Sequence, residues 1–217
     1  VRKLERPDPE PECLADMRAG QSWGDLPSAC KGTVREALEV MHSDLGPPLC
    51  SYCEWEILTQ EKGHIEHLYP RSIYPDETFS WGNLYLSCNH PDHCGQFKDR
   101  SGRPRYRPED LIRPDNDDPA AFLRCSSSGE IRPREGLSPT DRQRAMTTID
   151  VLGLNAPALQ GKRRAVVKRA SDLLLPELDF LASLEPDERE DLLAGEIAAF
   201  RAGGNPSAAL HFIVDMM

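Results

Sequence analysis

The 217 residues can bury one compact core with a small helical region beside it, and 39% hydrophobic with 29% charged residues excludes a disordered chain. A formal net charge of −10 argues against a protein that coats nucleic acid by bulk attraction. No apolar run approaches the roughly 20 residues that a membrane-crossing helix requires, and Val1-Arg-Lys-Leu-Glu-Arg-Pro has no apolar signal core, so a cytoplasmic protein is expected.

Residues 1–31, with Pro7, Pro9 and Pro11 alternating, read as an extended lead-in. Thr33 and Glu36 have capping-box spacing and predict a helix start, with Val34, Ala37, Leu38, Met41 and Leu45 forming its buried face until Gly46-Pro47-Pro48 stops it. From Cys50 to Lys98 the pattern breaks into short segments. Ile65–Tyr69 and Leu84–Ser87 are predicted as strands, and Gln96–Arg100 as a short helix. Phe122 to Arg132 predicts a hairpin turning at Ser128-Gly129. Ser138-Pro139 with Asp141 predicts a helix N-cap, with Ala145, Ile149 and Leu152 facing inward and Gly153 as the stop. Helical patterns resume at 157–184 and 187–202, and Pro206 opens a last short apolar helix.

Four of the seven cysteines cluster as Cys50, Cys53, Cys88 and Cys94, which favours metal ligation over a disulfide framework. Cys-x-x-Cys lets one turn present two thiolates to a tetrahedral zinc ion. The second pair is wider, leaving His90 or His93 as alternative ligands. Cys13, Cys30 and Cys125 are expected to be ordinary small buried residues. Glu66-His67, close before Pro70 at a strand end, pairs a carboxylate for a hard cation with an imidazole base. Lys98, Arg100, Arg103, Arg105 and Arg107 form one basic run, and Lys162, Arg163, Arg164, Lys168 and Arg169 another. The acid surplus lies in the last forty-odd residues, including Glu185, Asp187, Glu188, Glu190, Asp191 and Glu196. These runs are either solvated helix faces or two phosphate patches with a partner-facing acidic tail.

Cys50-Ser-Tyr-Cys53-Glu54, His64-Ile-Glu-His-Leu-Tyr-Pro70, Trp81-Gly-Asn-Leu84, Cys88-Asn89 and Cys94-Gly-Gln-Phe-Lys98 together resemble the HNH nuclease motif in its four-cysteine form. With Leu111-Ile-Arg-Pro114, Gly129-Glu-Ile-Arg-Pro133 and Thr148-Ile-Asp-Val-Leu-Gly-Leu-Asn155, residues 1 to 165 resemble the HNH proteins of retron and Septu-type anti-phage systems, the PtuB-like group.

The resemblance implies an α+β, mainly helical fold. A zinc-stapled ββα-metal core at 50–110 would lie between an N-terminal segment and helix at 1–49 and a mostly helical 111–217 with an acidic end. His67 would be the general base, Glu66 a ligand of catalytic Mg²⁺ or Mn²⁺, and Asn83 the amide that ties the motif's two arms together. The four clustered cysteines would hold structural zinc. Gly95 stands where many relatives have His or Asn. That leaves Asp99, then Asn89 and His93, as candidates for the second cation ligand, with Lys98 and Arg100 as phosphate contacts. The implied partners are nucleic acid (DNA before RNA), an ABC-type PtuA-like ATPase and, in retron systems, a reverse transcriptase complex. A zinc-stabilised binding or assembly module without catalysis, working with an ATPase, is the alternative.

Overall fold

The computed structural model describes residues 1–17, 20–41 and 47–174, with 180, 183–185, 187–188, 191–192 and 194–195 beyond them. The expected stop at Gly46, most of the residues of the helical readings past 174, and Glu190 and Glu196 of the acidic end lie outside the described residues. What is described is a small α+β fold with two two-stranded sheets and five α-helices. None of these helices is long and apolar enough to cross a membrane.

Helix α1 spans Ser28–Val40 and buries Cys30, Val34 and Leu38, a four-residue spacing that forms one stripe. It starts five residues before the expected Thr33 cap. The apolar stripe begins upstream at Cys30, and the Thr33 hydroxyl lies mid-helix, bonded back to the Ala29 carbonyl at 3.2 Å. The lead-in is anchored rather than loose, with Leu4, Leu14 and Leu26 buried. Cys13 and Cys30 are joined by a disulfide, which corrects the expectation of two ordinary buried residues. The lead-in folds back on the first turn of α1, and sequence spacing alone gives no sign of that return. Cys125 does remain a buried thiol.

Strands β1 (Gly63–His67) and β2 (Leu84–Cys88) pair antiparallel in unbroken register, His64 facing Ser87 and Glu66 facing Tyr85. Helix α2 runs Cys94–Lys98, so the last cysteine opens it, two residues earlier than expected. After helix α3 (Pro119–Phe122), the predicted hairpin forms as β3 (Leu123–Cys125) and β4 (Ile131–Pro133), with Gly129 at φ 81° in its turn. Ser138 caps helix α4 (Pro139–Val151), its hydroxyl accepting from the Asp141 amide at 3.1 Å. Helix α5 occupies Pro157–Leu174. One hydrophobic core unites α1, the strands and α4 with Leu159 and Val167 of α5.

Two contacts tie the later segment to the β1–β2–α2 unit. The Cys94 amide donates to the Leu152 carbonyl at 2.7 Å, where Cys94 holds φ 60°. Gly153, at φ 57°, lies so close that a β-carbon there would approach Phe97 to 2.8 Å. Arg163, expected in a basic patch, points inward. It is 3% exposed, and its guanidinium donates to the Leu154 carbonyl at 2.6 Å.

A polar cluster fixes the turn before β2. Asp115 pairs with Arg6 at 2.6 Å and Arg113 at 3.2 Å and accepts from the Tyr85 hydroxyl at 2.5 Å. Arg6 and Arg113 both donate to the Gly82 carbonyl, at 3.2 and 2.9 Å. Burial raises the Asp115 pKa, but the Arg6 charge and the Tyr85 hydrogen bond outweigh it and hold it below the usual carboxylate value. Removing one partner leaves the guanidinium groups uncompensated. Asp115→Asn is therefore expected to cost about 3 kcal/mol in urea unfolding at pH 7. A depressed folded pKa stabilises above the unfolded value of about 3.9, and that contribution is lost as pH falls through the folded value. The gap between variant and parent should then narrow below about pH 4. Equal unfolding midpoints at pH 7 would show the cluster to be dispensable.

Candidate active site

The site begins where the turn after Leu49 and the start of α2 meet. The Cys50 amide donates to the Trp55 carbonyl at 2.8 Å and the Glu54 amide to the Cys50 carbonyl at 2.9 Å, closing a knuckle that turns Cys50 and Cys53 to one side. Strand β2 delivers Cys88, and the left-handed Cys94 turns back to meet it. The four sulfurs lie within 4.8 Å of one another, and all four residues are buried. Two thiolates at about 2.3 Å from a tetrahedral zinc stand about 3.8 Å apart. Cys53 and Cys88 Sγ are 3.8 Å apart, so the set fits a metal ion of that kind.

His93 lies beside this cluster, with Nδ1 3.2 Å from Cys94 Sγ and 3.6 Å from Cys88 Sγ. Its ring stacks on His90 at 4.1 Å. All four thiols converge without either histidine replacing one, and His93 sits with the sulfurs rather than against the Glu66 carboxylate.

On the other side of β2, Asn83 binds the opposite arm of the motif. Its Oδ1 accepts from the Tyr69 amide at 2.6 Å, and its Nδ2 donates to the carbonyls of Glu77 at 2.8 Å and Tyr69 at 3.2 Å. The loop after β1 is thereby fixed at both ends. His67 closes β1, its ring edge-on to Trp23 at 4.6 Å between centroids. Its Nε2 lies 3.1 Å from the Thr78 carbonyl. A carbonyl only accepts, so the proton resides on Nε2 and the lone pair on Nδ1. Burial, with the Arg71 charge beside it, holds the imidazole pKa down to about 4.

Glu66 is 3% exposed. Its Oε1 stands 2.8 Å from Lys98 Nζ, an ion pair. Its Oε2 stands 3.1 Å from His64 Nε2. Burial opposes the charge, but Lys98 and then His64 draw the carboxyl pKa below its ordinary value. Strand alternation sends Glu66 and His67 to opposite sides, yet β1 ends at His67, and both line one cleft of about 580 Å³.

Gly95 forms part of the cleft wall for a steric reason. A β-carbon there would overlap Glu66 Oε2 and come within 2.6 Å of its Cδ and 3.0 Å of Ser87 Oγ. The carboxylate fills the space that a side chain at 95 would need.

The other candidate residues fall as follows. Asp99 reaches Lys98 Nζ at 2.5 Å. Asn89 Oδ1 lies 2.7 Å from His64 Nδ1. Lys98 turns inward, with its side chain 0% exposed and its ammonium also on the His67 carbonyl at 3.1 Å. Arg100 is exposed and pairs with Asp92 at 3.0 Å. Arg71, Arg100, Arg103 and Arg105 rim the cleft. Sequence reasoning passed over His64 and Arg71. The signal for His64 was present, because residues i and i+2 of a strand share a face and Glu66 was already a candidate.

An antiparallel pair leading into a short helix, with four convergent cysteines, is consistent with a small HNH-like domain. No family model matches the chain. Among curated proteins it is similar to "Retron Vc95 putative HNH endonuclease" of Vibrio cholerae serotype O1 biovar El Tor, 29% identical over 146 residues. The match covers 64% of this chain and 65% of that protein, so about a third of the relative's length has no counterpart in the aligned stretch. The likeness supports a nuclease.

Proposed function

We propose that the protein is a metal-dependent HNH-type endonuclease that hydrolyses nucleic-acid phosphodiester bonds, DNA before RNA. Its setting would be an anti-phage defence system, as the relative's retron name and the PtuB-like resemblance suggest. The observation that carries the reading is a neutral His67, its Nδ1 lone pair left open by the Thr78 carbonyl, in the same cleft as the buried Glu66 carboxylate. His67 takes a proton from water at Nδ1 as the water oxygen bonds to phosphorus. The P–O bond to the leaving oxygen then breaks, and that oxygen collects a proton from solvent. Glu66 would help to hold a divalent cation, which when bound neutralises charge on the phosphate and the leaving oxygen. Asn83 keeps the His67 loop in position. Phosphate contacts fall to Arg71, Arg100 and Arg105 on the rim rather than to Lys98, whose ammonium is spent inside. Zinc on the four cysteines would be structural. An ABC-type ATPase, with a reverse transcriptase complex in a retron setting, would hold or deliver the nuclease.

A non-catalytic zinc module has one observation in its favour: the Lys98 ammonium already neutralises Glu66. One assay separates the two. Purified protein with Mg²⁺ or Mn²⁺ is offered duplex DNA, single-stranded DNA and RNA. His67→Ala is expected to lower the cleavage rate by about 10²- to 10⁴-fold. Undiminished cleavage by that variant would sink the mechanism, and a parent that cuts nothing would favour the module.

A further inference from the structure

Gly95 offers no side chain to a cation, and the cleft it lines also contains His64 beside the Glu66 carboxylate. We propose that His64 takes over as the second ligand of the catalytic cation, binding through Nε2 beside Glu66 Oε2. The inference deepens the nuclease reading and rests on it.

The hydrogen bonds around His64 set its tautomer. Asn89 Nδ2 donates to the Glu61 carbonyl at 2.8 Å, and a carbonyl can only accept. The amide orientation is therefore fixed, and Oδ1 is the atom that faces His64 Nδ1 at 2.7 Å. Nδ1 therefore carries a proton, and Nε2 faces Glu66 Oε2 at 3.1 Å, where burial lowers the ring's pKa but the carboxylate's hydrogen bond and charge outweigh it and raise it. Nε2 and a carboxylate oxygen at this distance need a positive centre between them, either a second ring proton or a cation that displaces it. Two donors each about 2.1 Å from one cation and at a right angle stand about 3.0 Å apart, so the spacing suits a shared ion.

Register and space agree with this. His64 and Glu66 lie two residues apart on β1 and share a face. Lys98 engages Oε1 and leaves Oε2 for the cation. Gly95 lets the carboxylate settle over the start of α2 and reach His64. Asn89 becomes a positioning residue, the outer partner that metal-bound histidines regularly have. Asp99, occupied with Lys98, is not needed as a ligand.

The test is Mn²⁺ binding by the zinc-loaded full chain, read by electron paramagnetic resonance with detection of nitrogen-14 coupling. The parent is expected to bind one Mn²⁺ showing coupling to an imidazole nitrogen. His64→Gln should lose the coupling and bind at least about tenfold more weakly, with its circular dichroism unchanged. Glu66→Gln should lose the site. Nitrogen coupling that persists in His64→Gln overturns the inference. Binding that requires Glu66 but shows no nitrogen coupling, as from a simple His64–Glu66 ion pair, also overturns it and leaves the nuclease reading standing. A parent that binds no Mn²⁺ overturns both.

Discussion

Stripping the metal from the four-cysteine cluster is expected to unfold the protein rather than merely silence it. The buried quartet lies in the one core shared by α1, the strands and α4. The β1–β2 pair with α2 is too small to bury much apolar surface by itself. Metal affinity in such sites is folding free energy, on the order of 10 kcal/mol, comparable with the whole stability of a domain. Cys94→Ser should be the most damaging single change. Cys94 both supplies a sulfur and holds a left-handed backbone, so its loss frees a strained turn as well as a ligand. Thermal melts with and without a strong chelator, with zinc quantified in parallel, would check this. A melting midpoint unmoved after zinc has left would show that the fold does not depend on it.

Placing histidine at position 95 is expected to damage the site rather than add a ligand to it. The β-carbon alone overlaps the Glu66 carboxylate, so Gly95→His must push that group off β1's face or shift α2. A displacement of about 1 Å in a catalytic constellation can cost about 10²-fold in rate. Cleavage by Gly95→His should fall by about that factor, and Gly95→Ala should fall comparably because its methyl already occupies the contested space. Overpacking of this kind costs about 1–3 kcal/mol, so melts of both variants are needed to show that they are folded when assayed. If Gly95→His matched or exceeded the parent, the glycine would mark a lost ligand, and the carboxylate's position would not depend on it.

Local signals served well along this chain. The strand pair (with β1 at Gly63–His67, two residues earlier than the expected Ile65–Tyr69), the hairpin after Phe122, the Ser138 cap and the Gly153 stop were legible because each rests on neighbours in sequence. So was the cysteine quartet, since two pairs on either side of a strand pair have few other uses. What escaped depended on distant segments meeting. Cys13 and Cys30 pair only because the lead-in doubles back on α1. Lys98 and Arg163 resemble surface charges in any linear reading, yet each faces inward, Lys98 toward carboxylates and Arg163 toward carbonyls. His64 was overlooked for a different reason, since the familiar motif drew attention to the position after the last cysteine.

The Leu152 carbonyl that receives the Cys94 amide lies 58 residues further along the chain. Cutting the polypeptide at 110, where the motif itself is finished, would therefore remove the acceptor that keeps the fourth thiol in its left-handed turn and the glycine surface on which Phe97 rests. The segment bearing every candidate catalytic group is therefore expected to lose both of these contacts when excised at 110. A fragment that keeps them is expected to run at least through Asn155, whose side chain clasps Ile131 on both its amide and its carbonyl, at 2.8 and 2.9 Å.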